Sequence, residues 1–195
     1  MRFVLGPPAN SLTADELASG EWHCVRQLPV WAMQLAALPV GFVIATVLFC
    51  YWVAMTPKFD VASDPSEWVT TAIIAVLLAG PVLQLVIYPP SGAFRQSYLG
   101  LWPSRLLIYT GTTAKTSRMR YLLALSGPFL LLALGPLYFV SVTNLQSGWL
   151  VFISCLSALL YGLPALRALV ISRRMPRGAQ VAGIGFQTYW RMVAR

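Results

Sequence analysis

The sequence predicts an all-α membrane protein, a bundle of four transmembrane helices with a small cytoplasmic β-hairpin between the second and third spans. Three observations support this fold class. Hydrophobic residues make up 57% of the 195-residue chain and charged residues only 10%, which is too apolar for a soluble domain of this length. Four apolar runs are each long enough to cross the hydrocarbon core of a bilayer. Nearly all of the basic residues lie outside those runs, as membrane topology requires.

The four apolar runs divide the chain into three parts. Residues 1–28 form an N-terminal segment that we expect in the cytoplasm or at the membrane interface, residues 29–171 form the membrane domain, and residues 172–195 form a basic cytoplasmic tail. The predicted spans cover about residues 29–55, 67–88, 121–142 and 149–171.

The N-terminal segment contains one clear helix start. Thr13 is followed three residues later by Glu16, the capping-box pattern in which a hydroxyl and a carboxylate satisfy the first free amides of a helix. We therefore expect a short surface helix from about Ala14 toward Trp22.

Spans one and four each carry small residues at every fourth position. Such stripes let neighbouring helices approach closely in lipid, where there is no hydrophobic force to pair them. They predict helix contacts, within this chain or with other membrane proteins. The stripes are Ala37, Gly41 and Ala45 in span one, and Ser154, Ala158 and Gly162 in span four.

Spans two and three are interrupted by prolines. Pro81 in span two removes an amide from the helix and frees a carbonyl, so we expect a bend just before Gln84. Span three contains two Gly-Pro pairs, at residues 127–128 and 135–136, which predict a kink or local unwinding.

The link between spans two and three, residues 89–120, is the longest polar connection. Residues 106–110 are rich in β-forming side chains, and Gly111 with the two threonines after it is typical of a turn. We therefore predict a strand and turn here, forming a small β-hairpin at the membrane face.

Charge fixes the expected orientation. The second link and the tail each hold five basic residues and no acid, whereas the first and third links hold one lysine and none. Basic segments of membrane proteins lie on the cytoplasmic side. We therefore expect the protein in the inner membrane, with the basic segments and both termini in the cytoplasm. The net charge of +8 is explained by topology, so the bilayer is the expected partner and nucleic acid is not. Candidate contacts with lipid headgroups are Arg95, Arg105, Lys115, Arg118, Arg120, Arg173, Arg174 and Arg177.

Gln84 and Tyr88 are the candidate functional residues. They lie four apart on one helical face, the spacing at which two histidines of a His-Glu-x-x-His motif bind zinc. Neither is a histidine, His23 is the only histidine of the chain, and the predicted spans contain no acidic residue to act as ligand or base in their interior. The residues therefore predict no metal, no cofactor and no catalytic group. Gln84 can serve as a packing contact between helices or as part of a binding pocket.

Several stretches resemble a bacterial family of membrane zincin peptidases, distantly similar to site-2-type intramembrane metalloproteases. They are Leu83-Gln84-Leu85-Val86-Ile87-Tyr88-Pro89, Leu99-Gly100-Leu101-Trp102-Pro103, Ser117-Arg118-Met119-Arg120 and Gly185-Phe186-Gln187-Thr188-Tyr189-Trp190-Arg191. The resemblance implies a zinc site on the second span. Its motif positions fall on Gln84, Leu85 and Tyr88, none of which is a zinc ligand or a general base of that motif, so it implies the family's fold without its activity.

Three functions follow as hypotheses. The first is a non-catalytic protein with a scaffold or binding role that uses the degenerate site. The second is an accessory subunit of a larger membrane complex, which exposed small-residue stripes would favour. The third is an active metallopeptidase whose ligands come from elsewhere.

Overall fold

The computed structural model describes residues 2–27, 29–55, 69–88, 96–105, 107–143 and 147–192. Their elements in chain order are β1 (Arg2–Leu5), α1 (Ala14–Ala18), β2 (His23–Cys24), α2 (Val30–Met55), α3 (Val69–Ile87), β3 (Ser97–Trp102), β4 (Leu107–Thr112), β5 (Thr116–Ser117), α4 (Arg118–Pro128), α5 (Gly135–Thr143), α6 (Gly148–Arg174), β6 (Ala179–Ile184) and β7 (Gln187–Met192). A short 3₁₀ turn, Pro103–Arg105, follows β3, and a π-helix, Phe129–Leu134, joins α4 to α5.

Four helical stretches in the described part of the chain are long and apolar enough to cross a membrane. They are Trp31–Met55, Val69–Ile87, Arg118–Thr143 and Gly148–Arg174. The four predicted spans are thus confirmed within a few residues, apart from residues 67–68, which lie outside the described ranges. These helices identify the chain as a membrane protein.

The predicted all-α class is wrong, because the described strands form two sheets. One has three strands in the order β1-β3-β4, and the other has four in the order β2-β7-β6-β5. Several of the pairs join strands distant in the sequence: β1 lies parallel to β3, and β2 lies antiparallel to β7. Hydropathy along the chain does not reveal such pairs, because each strand is only two to six residues long and is too short to show a clear pattern of its own.

The predicted hairpin between spans two and three is confirmed, although its turn lies elsewhere. β3 pairs antiparallel with β4 up to the pair Trp102 and Leu107, so the turn of the hairpin follows Trp102 and does not lie at Gly111. Gly111 is inside β4, opposite Tyr98, and Gly100 is opposite Tyr109. A Cβ atom on either glycine would overlap the ring of the facing tyrosine, so these glycines provide room for the rings.

The C-terminal hairpin β6–β7 was not predicted. It closes on a two-residue loop, Gly185-Phe186, between the paired residues Ile184 and Gln187. Gly185 has φ +59°, the left-handed conformation that such tight loops require.

The chain divides into two compact units. The helical unit comprises Trp31–Gly80 and Ser126–Leu166. The sheet unit comprises Met1–Val30, Pro81–Leu125 and Arg167–Arg195, so it includes the predicted N-terminal segment and tail.

The helical unit packs α2 against α6 through both small-residue stripes. Gly41 lies against the backbone of Leu159, and Gly162 lies against the side chain of Ile44. Ala158 is fully buried in a cluster with Leu48. Ser154 is also fully buried, and its hydroxyl donates a hydrogen bond of 2.5 Å to the carbonyl of Ala133 in the π-helix. The stripes are therefore used within this chain.

The third span departs from α-helical geometry as predicted. Its π-helix lies between the two Gly-Pro pairs, starting directly after Pro128 and ending before Gly135. A wider turn at this position accommodates the amide missing at the proline.

The sheet unit has its own hydrophobic core. Its main cluster joins the ends of α4 and α6 to β6 through Leu125, Ile171, Met175 and Val181. The predicted capping box is present at α1, where Thr13 and Glu16 bond each other's backbone amides, although the helix ends at Ala18 and does not reach Trp22.

Candidate functional site

Gln84 lies in the last turns of α3 and contacts the β3–β4 hairpin. Its side chain is half-buried, and its Oε1 accepts a hydrogen bond from the hydroxyl of Thr110 in β4. The amide oxygen is thereby satisfied by a neighbouring element of the sheet unit, which lowers the cost of removing it from water.

Leu85 and Tyr88 are both buried. Leu85 is 8% exposed and Tyr88 is 7% exposed. The ring of Tyr88 lies 6.3 Å from that of Tyr121 in α4, tilted by 57°, and the Tyr121 hydroxyl is 2.7 Å from Oγ1 of Thr188 in β7. The positions where the resemblance implies zinc ligands and a general base therefore contact β4 and the aromatic interior of this unit.

The carbonyl freed by Pro81 belongs to Leu77, one turn earlier, and the hydroxyl of Tyr161 in α6 lies beside it. The Tyr161 hydroxyl donates to the carbonyl of Val76 at 2.8 Å and to that of Leu77 at 3.4 Å. Gly80 makes this approach possible, because a Cβ at that position would overlap the Tyr161 ring. Gly80 and Tyr161 thus form a close contact between α3 and α6, directly before Pro81.

Arg167 is a candidate residue that the sequence analysis missed. Its Nη2 donates to Oε1 of Gln27 and, at 3.1 Å, to the carbonyl of Phe186 in the β6–β7 loop. Arg167 lies inside the predicted fourth span, and an arginine within a span is by itself a signal of a buried polar contact.

Lys115 is tied to the N-terminal segment. Its ammonium forms an ion pair with Glu16 of α1 and lies 5.8 Å from the centre of the Trp22 ring. The guanidinium of Arg191 also lies over that ring, 4.9 Å from its centre, and is paired with Glu21 at 3.1 Å. The hydrogen bond from Lys115 and the bond from the Thr13 amide hold the pKa of the Glu16 carboxyl below its usual value.

The other basic residues divide into half-buried and exposed groups. Arg118 is half-buried and its Nη2 donates to the carbonyl of Ser172 at 2.6 Å, which satisfies a free carbonyl in the last turn of α6. Arg120 is half-buried as well. Arg173, Arg174 and Arg177 are exposed. Nη1 of Arg174 donates a hydrogen bond to the carbonyl of Arg26. Arg95 and the side chain of Arg105 lie outside the described part of the chain.

The chemistry available at the candidate site is hydrogen bonding and aromatic packing. Among the described residues, no three His, Cys, Asp or Glu side chains lie close enough together to hold a metal ion. His23 is in β2, where its ring lies 4.9 Å from that of Trp190. Polar groups at the candidate site include the Gln84 amide, the Thr110 and Thr188 hydroxyls and the Tyr121 phenol, all of which form hydrogen bonds.

A separate cavity of about 270 Å³ lies at the β1–β3 pair of the sheet unit. Arg2, Gln96 and Tyr98 are among its lining residues, and Gln84 and Tyr88 are not. This cavity is therefore distinct from the degenerate motif.

Comparison with known proteins found no match: no family model, no curated protein and no solved structure is similar to this chain.

Proposed function

We propose that this chain is a non-catalytic integral membrane protein with a scaffold or binding role, related to membrane zincin peptidases but without their metal site. The proposal rests on the contacts and burial of the side chains at the three motif positions. Gln84 bonds Thr110, Leu85 is buried, and Tyr88 packs on Tyr121. These contacts join the end of a membrane helix to β4 and α4 of the same unit, which is what a structural site needs.

Metal analysis of the purified full-length protein tests this proposal. We expect zinc far below one equivalent per chain, with no difference between the wild type and Gln84→Ala. Gln187→Ala is the matched control, because Gln187 is an exposed amide in β7. Stoichiometric zinc that is lost in Gln84→Ala and retained in Gln187→Ala would sink the proposal and favour an enzyme with ligands supplied elsewhere.

The accessory-subunit hypothesis has less support. It was favoured by small-residue stripes left free for a partner, but Gly41 and Gly162 are occupied by Leu159 and Ile44 of this chain. A partner would have to bind a different helix face.

We further propose that the protein lies in the inner membrane with both termini in the cytoplasm. Two observations support this orientation: the basic segments flank the ends of spans two, three and four, and the N-terminal segment, the second link and the C-terminal segment belong to one compact unit. Reporter fusions test it. A C-terminal green fluorescent protein is expected to be fluorescent and a C-terminal alkaline phosphatase inactive, whereas active phosphatase would overturn the orientation.

A further inference from the structure

The three-stranded sheet exposes an apolar face. Cross-strand partners share a face of a sheet, and so do residues two apart along a strand. The two rows on this face are Phe3, Leu99 and Thr110, and Leu5, Leu101 and Ile108. Phe3 is 60% exposed, Leu5 68% and Ile108 47%. Large apolar side chains therefore stand together on the outside of the sheet.

The opposite face is the one that packs against protein. It carries Tyr98 and Tyr109, both buried, whose hydroxyls donate to the carbonyls of Ala9 and Gly6 at 3.2 and 2.7 Å. Phe186 covers the same face, with its ring 5.7 Å from that of Tyr109. An antiparallel or mixed sheet in water keeps its apolar side inside and its polar side out. Here the hydrogen-bonded tyrosines are inside and the aliphatic side chains are outside.

The exposed face adjoins a membrane-spanning helix. Thr110 lies on that face and donates its hydroxyl proton to Gln84 of α3. On α3, Val82 and Val86 are 56% and 60% exposed, and they lie on the side of the helix away from Gln84, because residues two apart in a helix point in nearly opposite directions. Because α3 is long and apolar enough to span the bilayer, exposed valines in its last turns face lipid. The sheet face therefore adjoins the end of a helix whose outer side faces lipid.

We propose that this face of the three-stranded sheet rests in the lipid bilayer, at the membrane surface where α3 ends, with Phe3, Leu5 and Ile108 among the headgroups and upper acyl chains. The occupant is lipid and not water or a second protein, since the face adjoins α3 and presents aliphatic and aromatic groups. The sheet stays at the interface because the outer edges of β1 and β4 carry backbone groups without a neighbouring strand in the sheet, and such groups need water or headgroups as partners.

Spin labelling of the full-length protein in vesicles of phosphatidylethanolamine and phosphatidylglycerol tests the proposal. Cys24, Cys50 and Cys155 are first replaced, and single cysteines are introduced as Leu5→Cys and Ile108→Cys. Phe42→Cys is the lipid control, because Phe42 is 67% exposed in the middle of α2. Arg2→Cys is the matched aqueous control, because Arg2 is exposed in the same strand as Leu5 and lies on the opposite face.

Collision rates with molecular oxygen, which concentrates in lipid, and with a water-soluble nickel chelate give the readout. Labels at positions 5 and 108 are expected to favour oxygen over the chelate, as at position 42, and the label at position 2 is expected to favour the chelate. Chelate access at 5 and 108 equal to that at 2 would overturn the proposal. Protection of both positions from both reagents would overturn it as well, since it would indicate a protein partner or a second copy. This readout is independent of zinc, so it can fail or succeed separately from the proposed function.

Discussion

The Tyr161 hydroxyl of α6 binds the backbone of α3 in the turn that Pro81 interrupts. Pro81 cannot donate an amide proton to the carbonyl of Leu77, and a carbonyl without a donor is costly in hydrocarbon. The Tyr161 hydroxyl reaches both Leu77 and Val76, and the lack of a side chain at Gly80 leaves space for its ring. The sequence at Gly80-Pro81 predicts a bend in the helix, and in the structure Gly80 also forms part of a contact between two helices.

Tyr161→Phe is expected to destabilise the helical unit. It removes the hydroxyl and keeps the ring, so the loss is the hydrogen bond alone, about 0.5–1.5 kcal/mol for bonds within membranes. Denaturant unfolding in mixed micelles measures it. Tyr138→Phe is the control, because Tyr138 is 74% exposed and its loss of a hydroxyl should change stability little. Equal effects of the two substitutions would contradict this role of Tyr161.

Gly80→Ala is expected to destabilise more than Tyr161→Phe. The new Cβ would overlap the Tyr161 ring, and overpacking of this kind costs about 1–3 kcal/mol. Gly135→Ala is a close match, since Gly135 also precedes a proline inside a span, but the nearest contact of its Cβ would be an ordinary 3.9 Å. The same unfolding experiment compares the two; a Gly135→Ala variant as unstable as Gly80→Ala would argue against the close approach of Tyr161.

At the scale of elements, the loop between β6 and β7 joins the two sheets of the sheet unit. Phe186 in that loop stacks on Trp102 of β3, with ring centres 6.0 Å apart and planes within 4° of parallel, and meets Tyr109 of β4 edge to face. Its carbonyl also accepts a hydrogen bond from Arg167 of α6. One loop residue therefore contacts the β3–β4 hairpin and a membrane helix.

Phe186→Ala is expected to loosen both hairpins. Each aromatic pair contributes about 0.5–1.5 kcal/mol beyond its buried area, and two pairs are lost. Hydrogen–deuterium exchange is expected to be faster in β3, β4, β6 and β7, while the amides of α2 are unchanged. The neighbouring exposed residue supplies the control as Gln187→Ala. Unchanged exchange in β3 and β4 would mean that the loop does not hold the sheets together.

At the scale of the whole molecule, stability at high pH depends on buried tyrosines in the sheet unit. Burial raises the pKa of Tyr98 to about 12, and the neighbouring Tyr109 adds to the shift. The folded chain therefore holds the neutral phenol more tightly than the unfolded chain, whose tyrosines ionise near pH 10. The resulting stability is complete below about pH 10 and is lost as the pH rises toward about 12.

Unfolding measured at increasing pH tests this prediction. The wild type is expected to lose stability between about pH 10 and pH 12, and Tyr98→Phe is expected to lose less over the same interval because it has no proton to release there. Tyrosinate absorbance shows whether ionisation and unfolding coincide. Identical profiles for the two proteins would assign the alkaline transition to other groups.

The sequence by itself determined the four spans, the capping box of α1 and the disturbance of the third span. Each of these depends on nearby residues: a run of apolar side chains matched to the bilayer, a hydroxyl and a carboxylate three apart, and prolines without an amide proton. The hairpin after span two was also predicted from local composition, because β-forming side chains lie together there. The loop of β6–β7 had a readable signal too, a glycine at Gly185 between two alternating runs.

Only the tertiary structure decided which strands pair and which residues form hydrogen bonds with each other. β1 finds β3 and β2 finds β7 across most of the chain, and Tyr161 reaches the carbonyl of Leu77 from another helix. The same holds for Gln84, whose polar side chain was recognised but whose bond to Thr110 was not. The physical reason is that a polar group specifies the need for a partner, whereas the choice of partner depends on which distant segments the fold brings within about 3 Å.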